Sequence, residues 1–470
     1  MNRLDRFFEI SQRGSTVGAE VRGGIVTFIA MAYIIVLNPI ILAGPKDVVG
    51  HQLQFTQVSA VTALTAGVMT IAFGLIARLP FAFAAGLGIN SFLATSVVGT
   101  LTWPEAMGLV VIDGLIIVAL AVSGLRRMVF DAVPMQLKLA ITAGIGLFIL
   151  FIGLVDAGFI GSTGRPSPPV GLGAGGHGSI TSVPTLVFVV TLLLTAVLVA
   201  RRVRGGILIG LLGGTLLAMA IEAIWNLGSA VDHPGGWGLS VPKLSGSPFA
   251  LPDLSLMGDF NFHSFSRIGT LAASVLLFTL VFANFFDALG TLTGLSREAG
   301  LADTQGNFPR LRAALIVEGA GAVVGGATSS SSNTVFIESG TGIEEGARTG
   351  LANLITGALF LAAMFVTPLA SIVPSEVAAA ALVIVGAMMV SQLRHIDISD
   401  FSVALPVVLT VAVMPLSYSI ANGIGVGFVS WVVLRSAVGR FRDISPLLWV
   451  VAAGFLVYFA RDGLQHFAGV

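Results

Sequence analysis

The chain has 470 residues, 55% of them hydrophobic and only 10% charged, with a mean hydropathy of +0.96. Soluble domains carry roughly 25% charged residues, so the composition excludes an ordinary soluble protein and predicts an all-α polytopic membrane protein. A net charge of +0 speaks against a nucleic-acid partner, the lack of cysteine excludes disulfides and thiolate chemistry, and the six histidines show no metal-ligand spacing, so no metal is expected.

The first 22 residues carry Arg3, Arg6, Arg13 and Arg22 and no apolar core, so they are not a cleavable signal. Leu4, Phe7, Phe8 and Ile10 would share one face of a short interfacial helix; a disordered cytoplasmic tail is the alternative. Fourteen apolar runs follow, at 24–43, 57–77, 81–98, 105–123, 137–157, 183–200, 205–225, 267–292, 312–327, 334–346, 348–370, 376–392, 402–417 and 419–437. A spanning helix needs about 20 apolar residues. A further run at 446–460 is short for a span and would lie at the interface or pack on the bundle.

If the runs cross in turn, most Lys and Arg residues fall on the side of the membrane that holds the N-terminus, among them Arg22, Arg78, Arg201, Arg202, Arg204, Arg297, Arg310, Arg394 and Arg440. Lys46, Arg165, Lys243 and Arg267 fall on the other side. The positive-inside rule then predicts a cytoplasmic N-terminus in a cell (inner or plasma) membrane. Two longer outer connections, 158–182 and 226–265, are rich in turn residues. The second divides the chain into a seven-span repeat at 23–225 and another at 266–438, with a cytoplasmic segment 1–22 before them and a segment 439–470 after. Seven is odd, so the halves enter from opposite sides, a recurrent transporter arrangement.

Runs three and ten hold the same place in the two halves, and both begin with residues that make poor helix: PFAFAAGLGINSFLATS (80–96) and GGATSSSSNTVFIESGTGI (325–343). Interrupted segments in matching positions point to a transporter's binding site. Irregular backbone survives at membrane depth only where it is buried in protein or lines a cavity. Each run is therefore expected to be an extended stretch meeting a half-helix, the two stretches pairing antiparallel. The half-helix N-termini would then face a solute with free N–H groups. Tightly packed small-residue helices are the competing reading.

Asp287 lies near the end of an otherwise uncharged run, and Glu338 opens the second half-helix. Ionisable groups at membrane depth cost about 2.5–3.5 kcal/mol or more and are functional candidates by default. Glu338 is placed to accept two N–H bonds from a solute, or only to complement the helix dipole. Asp287 suits proton loading and release, or a structural hydrogen bond to the extended stretches. Asn90 would contact the solute, fix Asp287 or cap the half-helix. Phe336, with Ile337 beside it, and Phe285 and Phe286 offer stacking surface, or simply pack against lipid or the core, and Thr291 lies one turn beyond Asp287. Glu318 and Asp113 are further intramembrane acids that would relay protons or tie helices together.

The stretches PFAFAAGLGINSF, FFDALGTLTGL, FIESGTGIEEGARTGL, GGIVTFIAMAYIIVLNP and MPLSYSIANGIGVGF resemble those of the adenine/guanine/hypoxanthine permeases, the purine branch of the nucleobase–cation symporter (nucleobase–ascorbate transporter) superfamily. The resemblance runs nearly the whole chain. It implies fourteen spans in a seven-plus-seven inverted repeat, with a core domain (spans 1–4 and 8–11) and a gate domain (spans 5–7 and 12–14). It also implies proton-coupled purine uptake without another cofactor, a base held by the acids at Asp287 and Glu338, an acid at Glu318, and a possible homodimer in the lipid bilayer. Glu338-Ser339-Gly340-Thr341 departs from the Glu-Asn-x-Gly of the uracil/xanthine branch. Thr334-Val335-Phe336 replaces Thr-Thr-Tyr, and Ala85 replaces a proline, which leaves the choice among the purines open. An anion carrier of the same fold, an ion channel and a membrane enzyme are the rival readings. Two site acids disfavour an anion, nothing repeats as a filter, and no nucleophile–base pair is visible.

Overall fold

The computed structural model describes residues 3–468 apart from 125–131, 166, 177, 234, 244–245 and 303–307. A short α1 (Arg3–Phe8) docks by Phe8 and Ile10 against Leu351, while Leu4 and Phe7 stay exposed. A helix, not a loose tail, therefore forms here. The first half continues with α2 (Val17–Met31), α3 (Ile34–Ala43), α4 (Phe55–Ile76), β1 (Phe83–Ala85), α5 (Leu87–Phe92), α6 (Trp103–Ser123) and α7 (Met135–Asp156). After α5 the helix widens into a π-turn over Leu93–Val97. The outer connection 158–182 holds a hairpin, β2 (Ile160–Ser162) against β3 (Val170–Leu172), followed by α8 (Val183–Ala200) and α9 (Gly206–Trp225).

The second half comprises α10 (Thr270–Glu298), α11 (Leu311–Ala327), β4 (Asn333–Val335), α12 (Ser339–Glu344), α13 (Gly350–Ala363), α14 (Ser375–Val390), α15 (Phe401–Leu416) and α16 (Ile420–Ala437). A final α17 (Pro446–Ala468) lies against α16 and α10, burying Leu448, Ala452 and Phe455. Its apolar run therefore packs on the bundle. Local sequence sets helix ends in the usual way. Thr102 and Glu105 form a reciprocal capping box that opens α6, and Gly124, at φ 78°, closes it in the left-handed region.

The fourteen apolar runs all fall on these elements, some on two in succession, but among the described residues ten helices, counted with their continuations as Val17–Ala43, Gly350–Ala370 and Ser375–His395, are long and apolar enough to cross a membrane. The four that fall short have physical reasons. Runs 81–98 and 334–346 are part strand and part helix, α11 has 17 residues, and α15 has 16 with Pro406 and Pro415 inside it.

The helices pack as two bundles. In one, α4 lies on α13 and α6 on α11, with α2, α3, α12 and the strand pair among them. In the other, α7 packs on α14 and α15, α8 on α9 and α14, and α15 on α16. Glycines carry the closest crossings. A Cβ on Gly67 or Gly357 would sit 2.9 or 2.6 Å from the other's carbonyl oxygen. The same reciprocal contact joins Gly114 to Gly319, at 2.6 and 2.9 Å, and Gly146 to Gly386, at 2.7 and 2.5 Å. Lipid tails give helices no hydrophobic incentive to associate, so close backbone packing at small residues does that work.

Candidate functional site

Strands β1 and β4 pair antiparallel in the middle of the first bundle, in the register Phe83–Val335, Ala84–Thr334 and Ala85–Asn333. Two further bonds extend the ladder, Gly86 N–H to the Ser332 carbonyl and Phe336 N–H to the Ala82 carbonyl, both at 2.9 Å. An unsatisfied backbone group at this depth costs several kcal/mol, and side chains from neighbouring helices meet the free edges. Phe83 N–H donates to Thr70 Oγ1 at 2.9 Å, Ala82 N–H donates to Ser339 Oγ at 2.9 Å, and Asn353 Nδ2 donates to the Phe81 carbonyl at 2.7 Å. Gly321 on α11 lets β4 approach, since a Cβ there would lie 2.6 Å from the Asn333 oxygen. Ser329 (φ 55°) and Ser331 (φ 69°) turn the chain into β4 in the left-handed region, a conformation that strains a residue with a Cβ.

Glu338 follows β4 directly and stands at the N-cap of α12. It is half-buried, and Tyr33 Oη donates to its Oε1 at 2.5 Å. Tyr33 is fully buried in the short break between α2 and α3. Asp287 is half-buried on α10, close enough to Glu338 for the two carboxylates to interact, and makes no hydrogen bond among the described residues. A structural bond from Asp287 to the strands is therefore absent. Thr291 lies half-buried one turn further along α10. Phe336 is buried and Ile337 exposed, so only the latter opens away from the interior. Phe286 is buried in an aromatic cluster with Phe282 and Phe285, and Lys138 of α7 places its ammonium 5.4 Å from the Phe286 ring.

Asn90 takes none of its expected roles towards Asp287 or the helix end. The half-helix α5 starts at Leu87 with Gly86 as its cap, and Asn90 sits inside it, its N–H already donating to the Gly86 carbonyl. Its Nδ2 donates instead to Asn38 Oδ1 at 2.5 Å, and Asn38 Nδ2 donates to Thr62 Oγ1 at 2.7 Å and the Ser330 carbonyl at 3.1 Å. Sequence reasoning missed Tyr33, Asn38 and Asn284. The last lies one turn before Asp287, and its Nδ2 donates to Asp113 Oδ2 at 2.9 Å and Ser332 Oγ at 2.8 Å. A polar residue within an apolar run was the available signal for both asparagines.

Glu318 is fully buried behind β4, accepting from the Thr334 hydroxyl. One oxygen of Glu318 and one of Asp113 have no partner among the described residues. Glu318 thus supports the strand edge and lies within electrostatic reach of Asp287 and Asp113. Among the described residues no group of His, Cys, Asp and Glu could hold a metal ion. The site that emerges is an acid pair, Glu338 and Asp287, at the end of a backbone ladder. It can offer charge-assisted acceptors to N–H donors of a small polar solute.

Residues 18–430 match the Permease family. The chain is 37% identical to the guanine/hypoxanthine permease PbuG of Bacillus subtilis, over 97% of this chain and 99% of that protein. It is 35% identical to the adenine permease AdeP of Escherichia coli, over 97% and 95% respectively. Among solved structures, the transmembrane domain of the cyanobacterial bicarbonate transporter BicA superposes with a TM-score of 0.63 at 16% identity, over 86% of this chain and 97% of that one. Murine Slc26a9, an anion transporter in the inward-facing state, gives 0.60 at 12% identity, over 90% and 68%. These two share the fold. The chain belongs to the Permease family, together with the guanine/hypoxanthine and adenine permeases it resembles across its length.

Proposed function

We propose that this chain is a secondary active transporter, not an enzyme, that takes up adenine, guanine and/or hypoxanthine by proton symport. The observation that carries the reading is the Glu338–Asp287 pair at the end of the β1–β4 ladder, with Tyr33 fixing Glu338. A purine presents a planar edge of N–H donors, for which a carboxylate at a half-helix start is a matched acceptor. Two acids at one site suit a neutral base and oppose the anions carried by the fold's structural neighbours. The named activities of the relatives support the same substrate class. Glu338 and Asn90 belong to the substrate region in this reading, Phe336, Ile337, Phe286 and Thr291 surround it, and Asp287, with Glu318 behind it, carries the coupled proton.

The transport cycle would be alternating access, with the first bundle as core and the second as gate. Fourteen segments in a seven-plus-seven inverted repeat, a cytoplasmic N-terminus and a homodimer complete the proposal. The glycine crossings support the repeat. Gly67–Gly357 joins runs two and eleven, and Gly114–Gly319 joins runs nine and four, the same pair with the halves exchanged.

The test is accumulation of radiolabelled adenine, guanine, hypoxanthine and uracil in proteoliposomes, with and without an inward proton gradient. Gradient-stimulated accumulation of a purine but not uracil is expected. Accumulation of bicarbonate or another anion, with no base taken up, would overturn the reading.

A further inference from the structure

A cavity of about 350 Å³ opens between the two bundles, beyond the strand pair. The first bundle contributes Ser91 and Thr95 on the α5 side and Ile41 of α3. The second contributes Asp156 at the end of α7, Ser375 at the start of α14, and Tyr418 in the turn between α15 and α16. Ser91 directly follows Asn90 on the half-helix α5, which itself begins where β1 ends. On the orientation proposed above the cavity lies on the side away from the cytoplasm.

Thr95 and Ser375 spend their polar groups within the protein, but among the described residues Ser91 and Asp156 do not. Ser91 is 1% exposed, and its hydroxyl has no partner among the described residues. A buried polar group left unpaired costs about 1–3 kcal/mol, which a bound solute would relieve. Asp156 makes no hydrogen bond among the described residues, whereas its acidic neighbour Glu376 is held by Gly238 N–H at 2.9 Å and by the Ser375 hydroxyl at 3.3 Å. Tyr418 stands outside the spans, with its ring held edge-on by Phe148 and Phe151 at 5.7 and 5.8 Å. Burial first, and the Asp156 carboxylate second, push its phenol up to about 12, so it remains a hydroxyl donor at neutral pH.

These walls select a chemical class. A free carboxylate repels an anion, and one carboxylate is far from the six to eight oxygens of a calcium site or the octahedral shell of magnesium. Aliphatic walls from Ile40, Ile41, Ala94 and Ile152, an acceptor for N–H groups and two hydroxyls suit a small heterocycle, and the volume falls within the roughly 300–1,000 Å³ of small-molecule pockets. We propose that this cavity is a second, outer binding site, occupied by the nucleobase before it reaches Glu338, with Asp156 accepting its N–H groups and Ser91 and Tyr418 pairing with its edge. The proposal rests on the nucleobase reading of the central site.

The chain has no cysteine, so Thr95→Cys puts a single thiol in the cavity wall. Its reaction with a membrane-impermeant maleimide is followed in intact cells in a Glu338→Gln background, where the central carboxylate is gone. Adenine, guanine or hypoxanthine is added as the protecting ligand. At a base concentration about ten times the dissociation constant, roughly one chain in eleven remains open and labelling slows about tenfold. Asp156→Asn in the same background is expected to abolish that protection. Protection seen only when Glu338 is intact, or a thiol that never reacts, overturns the outer site while leaving the nucleobase reading standing. Failure of the parent chain to accumulate any base in proteoliposomes is a separate result that removes both.

Discussion

In the proposed site Glu338 offers a carboxylate to the solute, and Tyr33 donates to one of its oxygens. A hydrogen bond to a charged group contributes about 1.5–3 kcal/mol, and 1.4 kcal/mol is tenfold in affinity. Tyr33→Phe keeps the ring in its buried slot but frees the carboxylate to turn, so KM for the transported base is expected to rise about tenfold with expression unchanged. An unchanged KM would sink the positioning role. Asp287→Asn keeps the shape and removes the titratable proton. Uptake without a gradient is expected to persist within a few-fold, while stimulation by an inward proton gradient disappears; full stimulation in the variant would refute the assignment. Both acids were legible in the sequence, because a carboxylate among apolar or small residues at membrane depth is conspicuous. Tyr33 was not, since an aromatic in an apolar run looks like any other, and neither Gly nor Pro marks the break it occupies between α2 and α3.

At the scale of elements, the two extended stretches were readable because their residues make poor helix, and they pair as the matched positions implied. The end of the strand was harder to read. Asparagine is a favoured N-cap, so Asn90 invited that role, yet β1 hands over to helix immediately at Gly86 and leaves Asn90 a turn inside. The glycine rows of α11 were likewise silent in the sequence, because what a glycine admits depends on its neighbour in space. Gly321→Ala tests this. Alanine gains about 0.8–1 kcal/mol in helix propensity, but the added Cβ meets the Asn333 carbonyl oxygen at 2.6 Å, a backbone atom fixed in the strand ladder. Overpacking of this kind costs about 1–3 kcal/mol, so the net effect is expected to be a lower Tm for purified protein. Gly294→Ala on α10, where nothing lies within 4 Å of the new Cβ, is the matched control and is expected to hold or raise Tm. Equal behaviour of the two would show that β4 yields freely.

At the scale of the molecule, polytopic character followed from hydropathy and the spread of charge, whereas the division into two bundles was implied only by the family resemblance, because it cuts across chain order. α7 to α9 join α14 to α16, and α4 joins α13. The proposed alternating access would have these bundles move against each other around a fixed site. Beyond the strand pair, on the side of the cavity, the Ser96 hydroxyl donates to the Tyr418 carbonyl at 3.2 Å, which ties the first bundle to the second. Because the chain has no cysteine, Ser96→Cys combined with Tyr418→Cys places the only two thiols on opposite sides of that contact. A disulfide needs Cα atoms within about 7 Å, which a hydrogen-bonded contact of this kind can supply. Oxidation is expected to abolish uptake and reduction to restore it to the level of the reduced double variant, while either single variant ignores the oxidant. Uptake that continues with the bridge formed would mean that the bundles need not part at this edge, and that the solute passes by a route that leaves the Ser96–Tyr418 contact closed.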